Sequence, residues 1–243
     1  MRLLVANANT TRAITDACAA AARAAASAGT EIIAATPRFG PAVISSRAEN
    51  VIAGHALLDL LAGHAGRVDA CVLAVSHDTA LEAAKQMMPC PVIGMTEAAC
   101  LTACLHGGRF GLVTFGGVET YRELVARHGL SARLAALAGV DATPLEAVAD
   151  PDGVGAKVLA AVEGLAAQGA DSVVLAGAAL AGFDRRLQAR APVALLDGMA
   201  CGVRMAEMIV ALGLPRPRAG SYAPCSGRAS LGLSPALAAL LAR

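Results

Sequence analysis

A segment that occurs twice constrains this chain more than any other feature. Asp69-Ala-Cys-Val-Leu-Ala74 returns as Asp171-Ser-Val-Val-Leu-Ala176, 102 positions later. Pro91-Val-Ile-Gly-Met-Thr-Glu-Ala-Ala-Cys100 is echoed by Pro192-Val-Ala-Leu-Leu-Asp-Gly-Met-Ala-Cys201, 101 positions later. Arg2-Leu-Leu-Val-Ala6 and Arg109-Phe-Gly-Leu-Val-Thr114 read as the opening strands of the two copies. One unit used twice at a matched offset predicts two similar lobes related by a pseudo-twofold axis.

Within each unit, short apolar runs alternate with longer Ala/Leu-rich segments. The runs Leu3–Ala6, Glu31–Ala35, Ala70–Val75, Val92–Ile93, Gly111–Phe115, Ser172–Ala176 and Val193–Leu195 read as strands. They are continuously apolar rather than alternating, as strands covered on both faces are. Helices are expected near 11–28, 49–65, 79–88, 97–106, 118–128, 153–168, 183–190 and 199–212, and a loop over the Pro/Gly/Ser-rich stretch 213–228. The fold class is therefore α/β: two parallel four-stranded sheets flanked by helices, with a cleft between the lobes. Lobe one should take residues 1–95 plus 206–243, and lobe two residues 96–205.

With 56% hydrophobic residues in 243, the chain can bury a real core; with aromatics at 2%, that core is built from small aliphatic side chains. Twenty Lys+Arg against 19 Asp+Glu leave a net charge of +1, which gives nucleic-acid binding no electrostatic basis. The longest apolar run, Val173–Phe183, is too short for a membrane span, which needs about 20 residues. The short run Leu3–Ala6 makes no signal-peptide core. Seven cysteines (18, 71, 90, 100, 104, 201 and 225) form no paired metal spacing; Cys100-x3-Cys104 with His106 is the nearest approach. They read as reduced thiols in a cytoplasmic protein. Aliphatic helix faces such as His55–Leu61 suggest a homo-oligomer.

Ligands of open parallel sheets bind beyond the carboxyl ends of strands, so the chemistry should lie in the residues just after each one. Asn7-Ala-Asn-Thr-Thr11 offers Asn9 and Thr10 as helix caps or ligand contacts. Gly40-Pro-Ala-Val-Ile-Ser-Ser-Arg47 is either a capped helix start at Ser45 or Ser46 or a loop closing over the cleft. Ser76-His77-Asp78-Thr79 is the most polar exit: Ser76 is a candidate donor and His77 a candidate proton-transfer group, with Asp78 or Thr79 as caps. Consecutive residues do not converge as a hydrolytic triad, and no Gly-x-Ser-x-Gly elbow is present. Thr114-Phe-Gly-Gly117 lacks the glycine spacing of a dinucleotide site, so no cofactor is expected. Val75, Thr114 and the Gly177-Ala178-Ala179 backbone complete the expected substrate contacts.

Taken together these exits resemble the aspartate/glutamate racemase superfamily, in its hydantoin and allantoin racemase branch. The resemblance spans nearly the whole chain. Its carriers are Asn7–Thr11, Gly40-Pro41 with Ser45-Ser46-Arg47, Leu81-Glu-Ala-Ala84, Pro91-Val-Ile-Gly94 with Glu97-Ala98, Val113-Thr114, Ala181-Gly182, Asp197-Gly198 and Gly220-Ser-Tyr-Ala-Pro224. It implies a two-lobed fold, a cofactor-free site in the cleft, a small-molecule substrate and homo-oligomers. It also implies two catalytic thiols, one at the exit of each symmetric strand, serving as base and acid on opposite faces of the stereocentre. An ungapped comparison puts Val75 at the first position, or Ser76 after a one-residue shift, and Gly177 at the second; none of these is a thiol. Three readings follow: an isomerase using other groups, a one-base lyase or decarboxylase, or a binding protein that has lost the chemistry. Cys100 and Cys201, at matched positions of the repeat in helices opened by Thr96 and Asp197, are candidate displaced thiols of lowered pKa. The missing thiol at Gly177 should also leave room for a bulkier substrate.

Overall fold

The structure, a computed structural model, describes residues 1–224, 227 and 229–242, so Cys225 lies outside the described residues. Strands β1 (Arg2–Asn7), β2 (Glu31–Ala35), β3 (Ala70–Ala74) and β4 (Val92–Gly94) form a sheet of order β2-β1-β3-β4. Strands β5 (Phe110–Phe115), β6 (Leu134–Val140), β7 (Ser172–Leu175) and β8 (Ala194–Asp197) form a second, of order β6-β5-β7-β8. Every pairing is parallel. The helices are α1 (Arg12–Ala25), α2 (Arg47–His64), α3 (Leu81–Met87), α4 (Met95–His106), α5 (Glu119–Arg127), α6 (Pro144–Ala149), α7 (Pro151–Ala167), α8 (Phe183–Leu187), α9 (Gly198–Ala211) and α10 (Pro235–Leu241).

The repeat survives down to single hydrogen bonds. At the start of sheet one the Asp69 amide donates to the Arg2 carbonyl at 2.9 Å, and the Arg2 amide donates to the Asp69 carboxylate at 2.6 Å. Sheet two has the Asp171 amide on the Arg109 carbonyl at 2.9 Å and the Arg109 amide on the Asp171 carboxylate at 2.9 Å. The later offset differs from the sequence echo. Val92 faces Cys71 across one sheet and Leu195 faces Val173 across the other, so the second segment is displaced by 103 positions rather than 101. Cys100 is therefore the sixth residue of α4 and Cys201 the fourth of α9. A helix turns about 100° per residue, so these thiols are not equivalent positions of the repeat, although both pack at the same core.

The last helix of each unit crosses to the other lobe. Met199, Val203 and Ala206 of α9 pack with Leu3, Val5, Val72 and Ile93 of the first sheet. Ala99, Cys100 and Ala103 of α4 pack with Phe110, Leu112 and Val174 of the second. The expected cut at 205/206 runs through α9, Gly198–Ala211. The outer faces are covered by α2, α3 and α10 on lobe one and by α7 and α8 on lobe two. Leu57 and Leu61 lie in that first core and Ala56 is buried, while His55 is exposed and Leu58, Asp59 and Leu60 are half-buried, so the expected interaction face at His55–Leu61 is only partly open. The exposed apolar residues of α2 are Val51 and Ile52 instead.

Three elements go beyond the sequence reading. Edge strand β6, Leu-Ala-Ala-Leu-Ala-Gly-Val, has no β-branched residue before Val140 and is only half-buried, so it carries little strand signal. Helix α6 is short and depends on a Thr143–Glu146 capping box with Pro144 at its start. Helix α10 lies past the expected loop; residues 213–224 are indeed without helix or strand. No helix of the described residues is long and apolar enough to cross a membrane.

Candidate functional site

The strand exits of the two sheets face one another across a cavity of about 420 Å³. Asn9, Val75, Ser76 and His77 come to it from lobe one, Thr114, Gly177, Ala178 and Ala179 from lobe two. The two positions to which the resemblance assigns paired thiols, Val75 and Gly177, both line this one space. Asn9 Oδ1 accepts from Asn7 Nδ2 and the Thr11 amide, at 3.0 Å each, leaving its amide NH2 for a ligand. The first N–H groups of the 3₁₀ turn Ala178–Leu180 have no acceptor within that turn.

Thr10 is not among the lining residues. Its amide and hydroxyl donate to the Pro41 carbonyl at 3.0 and 3.4 Å, and Thr11 Oγ1 donates to the Ala42 carbonyl at 2.6 Å. Both threonines pin the β2–α2 loop, so that Val43, Ile44 and Ser45 cover the cavity. Ser46, one residue on, caps α2 in a capping box with Glu49. The Gly40–Arg47 stretch is thus both cap and cover.

Ser76 Oγ and Tyr121 Oη lie 2.6 Å apart, joining the β3 exit to α5 of the other lobe. Burial pushes the Tyr121 phenol up, against the opposing effect of hydrogen bonds with Ser76 and Thr114, so it stays a neutral O–H donor. The His77 ring lies against Tyr121, centroids 4.9 Å apart and planes 30° apart. Burial holds the His77 pKa below its ordinary value, so near neutral pH the ring is uncharged and able to accept a proton. Sequence reasoning missed Tyr121. Its one signal was rarity: it is one of two tyrosines in a chain almost without aromatics.

Asp78 caps a helix, though not its own. Held at φ 47°, it accepts the Thr96 and Glu97 amides of α4 at 3.1 and 2.7 Å and contacts His128 Nε2 of lobe two at 3.2 Å. The approach is so close that a Cβ on Gly94 would stand 2.6 Å from that carboxylate. Burial still outweighs these contacts and raises the Asp78 pKa. Thr79 donates to Asn50 Oδ1 at 2.5 Å. Thr96 lies inside α4, with its hydroxyl on the Ser76 carbonyl at 2.7 Å, and Gly94 takes the N-cap position.

The displaced-thiol candidates fail on both place and charge. Cys100 is fully buried in the α4 core, and Cys201 lines a different depression beside Asp184 and Met208. Burial pushes Cys100 well up and Cys201 to about 11, overriding any help from the helix N-termini. The room expected at Gly177 is also taken. A Cβ there would meet Phe115 at 3.0 Å and Leu180 at 3.2 Å, so these side chains already occupy the space of the absent one.

An adjoining cavity of about 410 Å³ shares Ser45, His77 and Thr120 with the first. Its Arg47 is neutralised by Glu123 of lobe two, with two contacts at 2.7 and 2.9 Å. Among the described residues no three His, Cys, Asp or Glu side chains are grouped to hold a metal ion.

Two parallel four-stranded sheets of matched strand order, with a cavity lined from both, define a two-lobed α/β class. Residues 3–206 match the profile of the Asp/Glu/hydantoin racemase family, and the chain belongs to that family. It is 33% identical to the hydantoin racemase of Paenarthrobacter aurescens over 233 residues, covering 91% of this chain and 96% of that protein. Identity to the hydantoin racemase of Pseudomonas sp. (strain NS671) is 32% over 233 residues, 91% of each. Among solved structures, the allantoin racemase from Klebsiella pneumoniae superposes with a TM-score of 0.92 at 33% identity, over 98% of both chains. A Gly74Cys mutant of arylmalonate decarboxylase, at 16% identity and TM-score 0.54 over 89% of this chain and 95% of that one, shares the fold alone. The chain thus falls in the hydantoin racemase-like branch, a group of racemase-type isomerases.

Proposed function

We propose that this protein isomerises an uncharged ureide, a hydantoin or allantoin-like molecule, at the acidic carbon beside its carbonyl, using a base that is not a thiol. The observation that carries this reading is the cavity lining. Among the described residues it offers hydroxyl, amide and imidazole groups between largely apolar walls, a single carboxylate at Glu119, and neither lysine nor arginine. A free amino acid brings a carboxylate that would go unpaired there, and Glu119 would repel it. A neutral ureide brings N–H and C=O groups that hydroxyls and amides satisfy. The names of the relatives support the same class.

In this reading His77 removes the proton, and Ser76, held by Tyr121, donates to the carbonyl oxygen as it becomes an enolate oxygen. The Gly177 wall carries no acid, so water delivers the proton on that face and the centre inverts. Proton transfer of this kind requires no cofactor. One-sidedness also suits a one-base decarboxylase, but the two carboxylates of a malonate-type substrate fit an uncationic cavity worse than a ureide does. We further propose a cytoplasmic homo-oligomer with Val51 and Ile52 at its contacts; a monomer by light scattering at micromolar concentration would remove that part.

The test is isotope exchange. The protein is incubated in D2O with single enantiomers of 5-substituted hydantoins, of allantoin, and of aspartate and glutamate. The expected outcome is deuterium at the acidic carbon with decay of optical rotation for the ureides alone. Exchange confined to the amino acids would overturn the substrate class. Ureide binding by calorimetry without exchange would leave a binding protein.

A further inference from the structure

We infer that Cys71 and Cys90 form an oxidation site, a thiol pair that closes to a disulfide when the protein meets a hydroperoxide. It is independent of the substrate reading, since neither thiol lies in the cleft. Cys71 is fully buried in β3, and Cys90 is half-buried in the turn between α3 and β4. Strand pairing brings them together: the Cys71 amide donates to the Pro91 carbonyl at 2.9 Å, and the two Sγ atoms lie 3.8 Å apart. A disulfide needs about 2 Å between sulfurs, so closure takes side-chain rotation and a small backbone adjustment.

The two thiols are prepared for different parts. Contact with Cys90, then burial, pushes Cys71 up, so it stays protonated and donates its S–H. That donated bond lowers Cys90 despite burial, and the Arg216 guanidinium adds to the lowering while Asp69 opposes it. Arg216 is held in place beside the end of α3. Its Nη2 holds the Gln86 and Met87 carbonyls at the end of α3, yet its buried Nε has no hydrogen-bond partner among the described residues. A cation fixed there with a spare donor favours a thiolate at Cys90. Cys18, Cys100 and Cys201 all have raised pKa values through burial and stay inert thiols.

The step balances with the peroxide as sole oxidant. Cys90 thiolate attacks one peroxide oxygen, the O–O bond breaks, and the hydroxide released takes a proton to become water. Cys71 sulfur then attacks the sulfenic sulfur of Cys90; the S–O bond breaks, and the departing oxygen leaves as water with the Cys71 proton. Two thiols lose two electrons, and one peroxide becomes two waters. The bond ties β3 to the turn after α3, and so encloses the Ser76–Asp78 exit in a covalent loop.

The full-length reduced protein is titrated with hydrogen peroxide, alkylated with iodoacetamide and mapped by tandem mass spectrometry of its tryptic peptides. The expected result is a Cys71–Cys90 crosslink formed before any other cysteine reacts, with loss of two free thiols per chain and slowed amide exchange over residues 76–88. Cys90→Ser should abolish the crosslink. Cys71→Ser, or Cys71→Ala if the serine variant folds poorly, should leave Cys90 trapped as a sulfenic acid that dimedone labels. Alkylation of Cys90 no faster than that of Cys100 would overturn the inference. So would a first crosslink between other cysteines.

Discussion

The two strand exits that face each other in the cleft occupy equivalent places in equivalent sheets, yet they are built from opposite materials. In lobe one Val75-Ser76-His77-Asp78 is dense with polar groups and carries a residue at positive φ. Its hydrogen bonds reach Tyr121, His128 and the start of α4. In lobe two Ala176-Gly177-Ala178-Ala179 has no polar side chain, and Phe115 and Leu180 fill the space beside Gly177. Symmetric backbones therefore do not make a symmetric site here. The pseudo-twofold sets where the walls stand, and the side chains decide which wall can move a proton.

The sharpest way to break that asymmetry is to disarm its polar side. His77→Ala should lower ureide exchange by about 10²–10⁴, the usual worth of a positioned base. The wild-type rate should fall on acidification with a midpoint below 6.5, because burial lowers the pKa of His77 and only its neutral form accepts a proton. A midpoint at or above that value, measured as exchange rate against pH, would remove His77 as the base. Next in size is Asp78→Ala, which strips two α4 amides of their acceptor; a loss of about 2 kcal/mol is expected from denaturant titration. Gly177→Cys then tests the silent wall. Crowding by Phe115 should cost about 1–2 kcal/mol, and Phe115→Leu in the same chain should recover part of it. The smallest effect belongs to Arg47→Ala. Its exposed bridge to Glu123 should leave Tm unchanged within error, while the loss of a cation at the neighbouring cavity sharpens the preference for neutral ligands.

Lobe one of this site was legible in the sequence because its groups sit next to one another in the chain. Ser76 and His77 follow a strand that announces itself by five apolar residues. Tyr121, Phe115 and the Val43–Ser45 cover reach the cavity from a helix, a strand end and a loop far away in sequence, and no local pattern links them to it. Strands were visible wherever Val, Ile and Leu were concentrated; β6 was not, with three alanines and a glycine among its seven residues. The 101-residue echo was a real repeat with a slipped reading. Alanine-rich segments match themselves at several offsets, and only the sheet register, with Val92 opposite Cys71 and Leu195 opposite Val173, fixes the right one. That slip is what made Cys100 and Cys201 look like a pair.

The crossing of α4 and α9 has a consequence for how such a chain can be divided. Residues 1–106 on their own would keep a helix whose partner sheet is gone, and would lose Met199, Val203 and Ala206 of α9 from the core around Leu3, Val5, Val72 and Ile93. Half a molecule of this design is not a smaller molecule. Two identical halves could satisfy one another only by trading those helices, as an intertwined pair does.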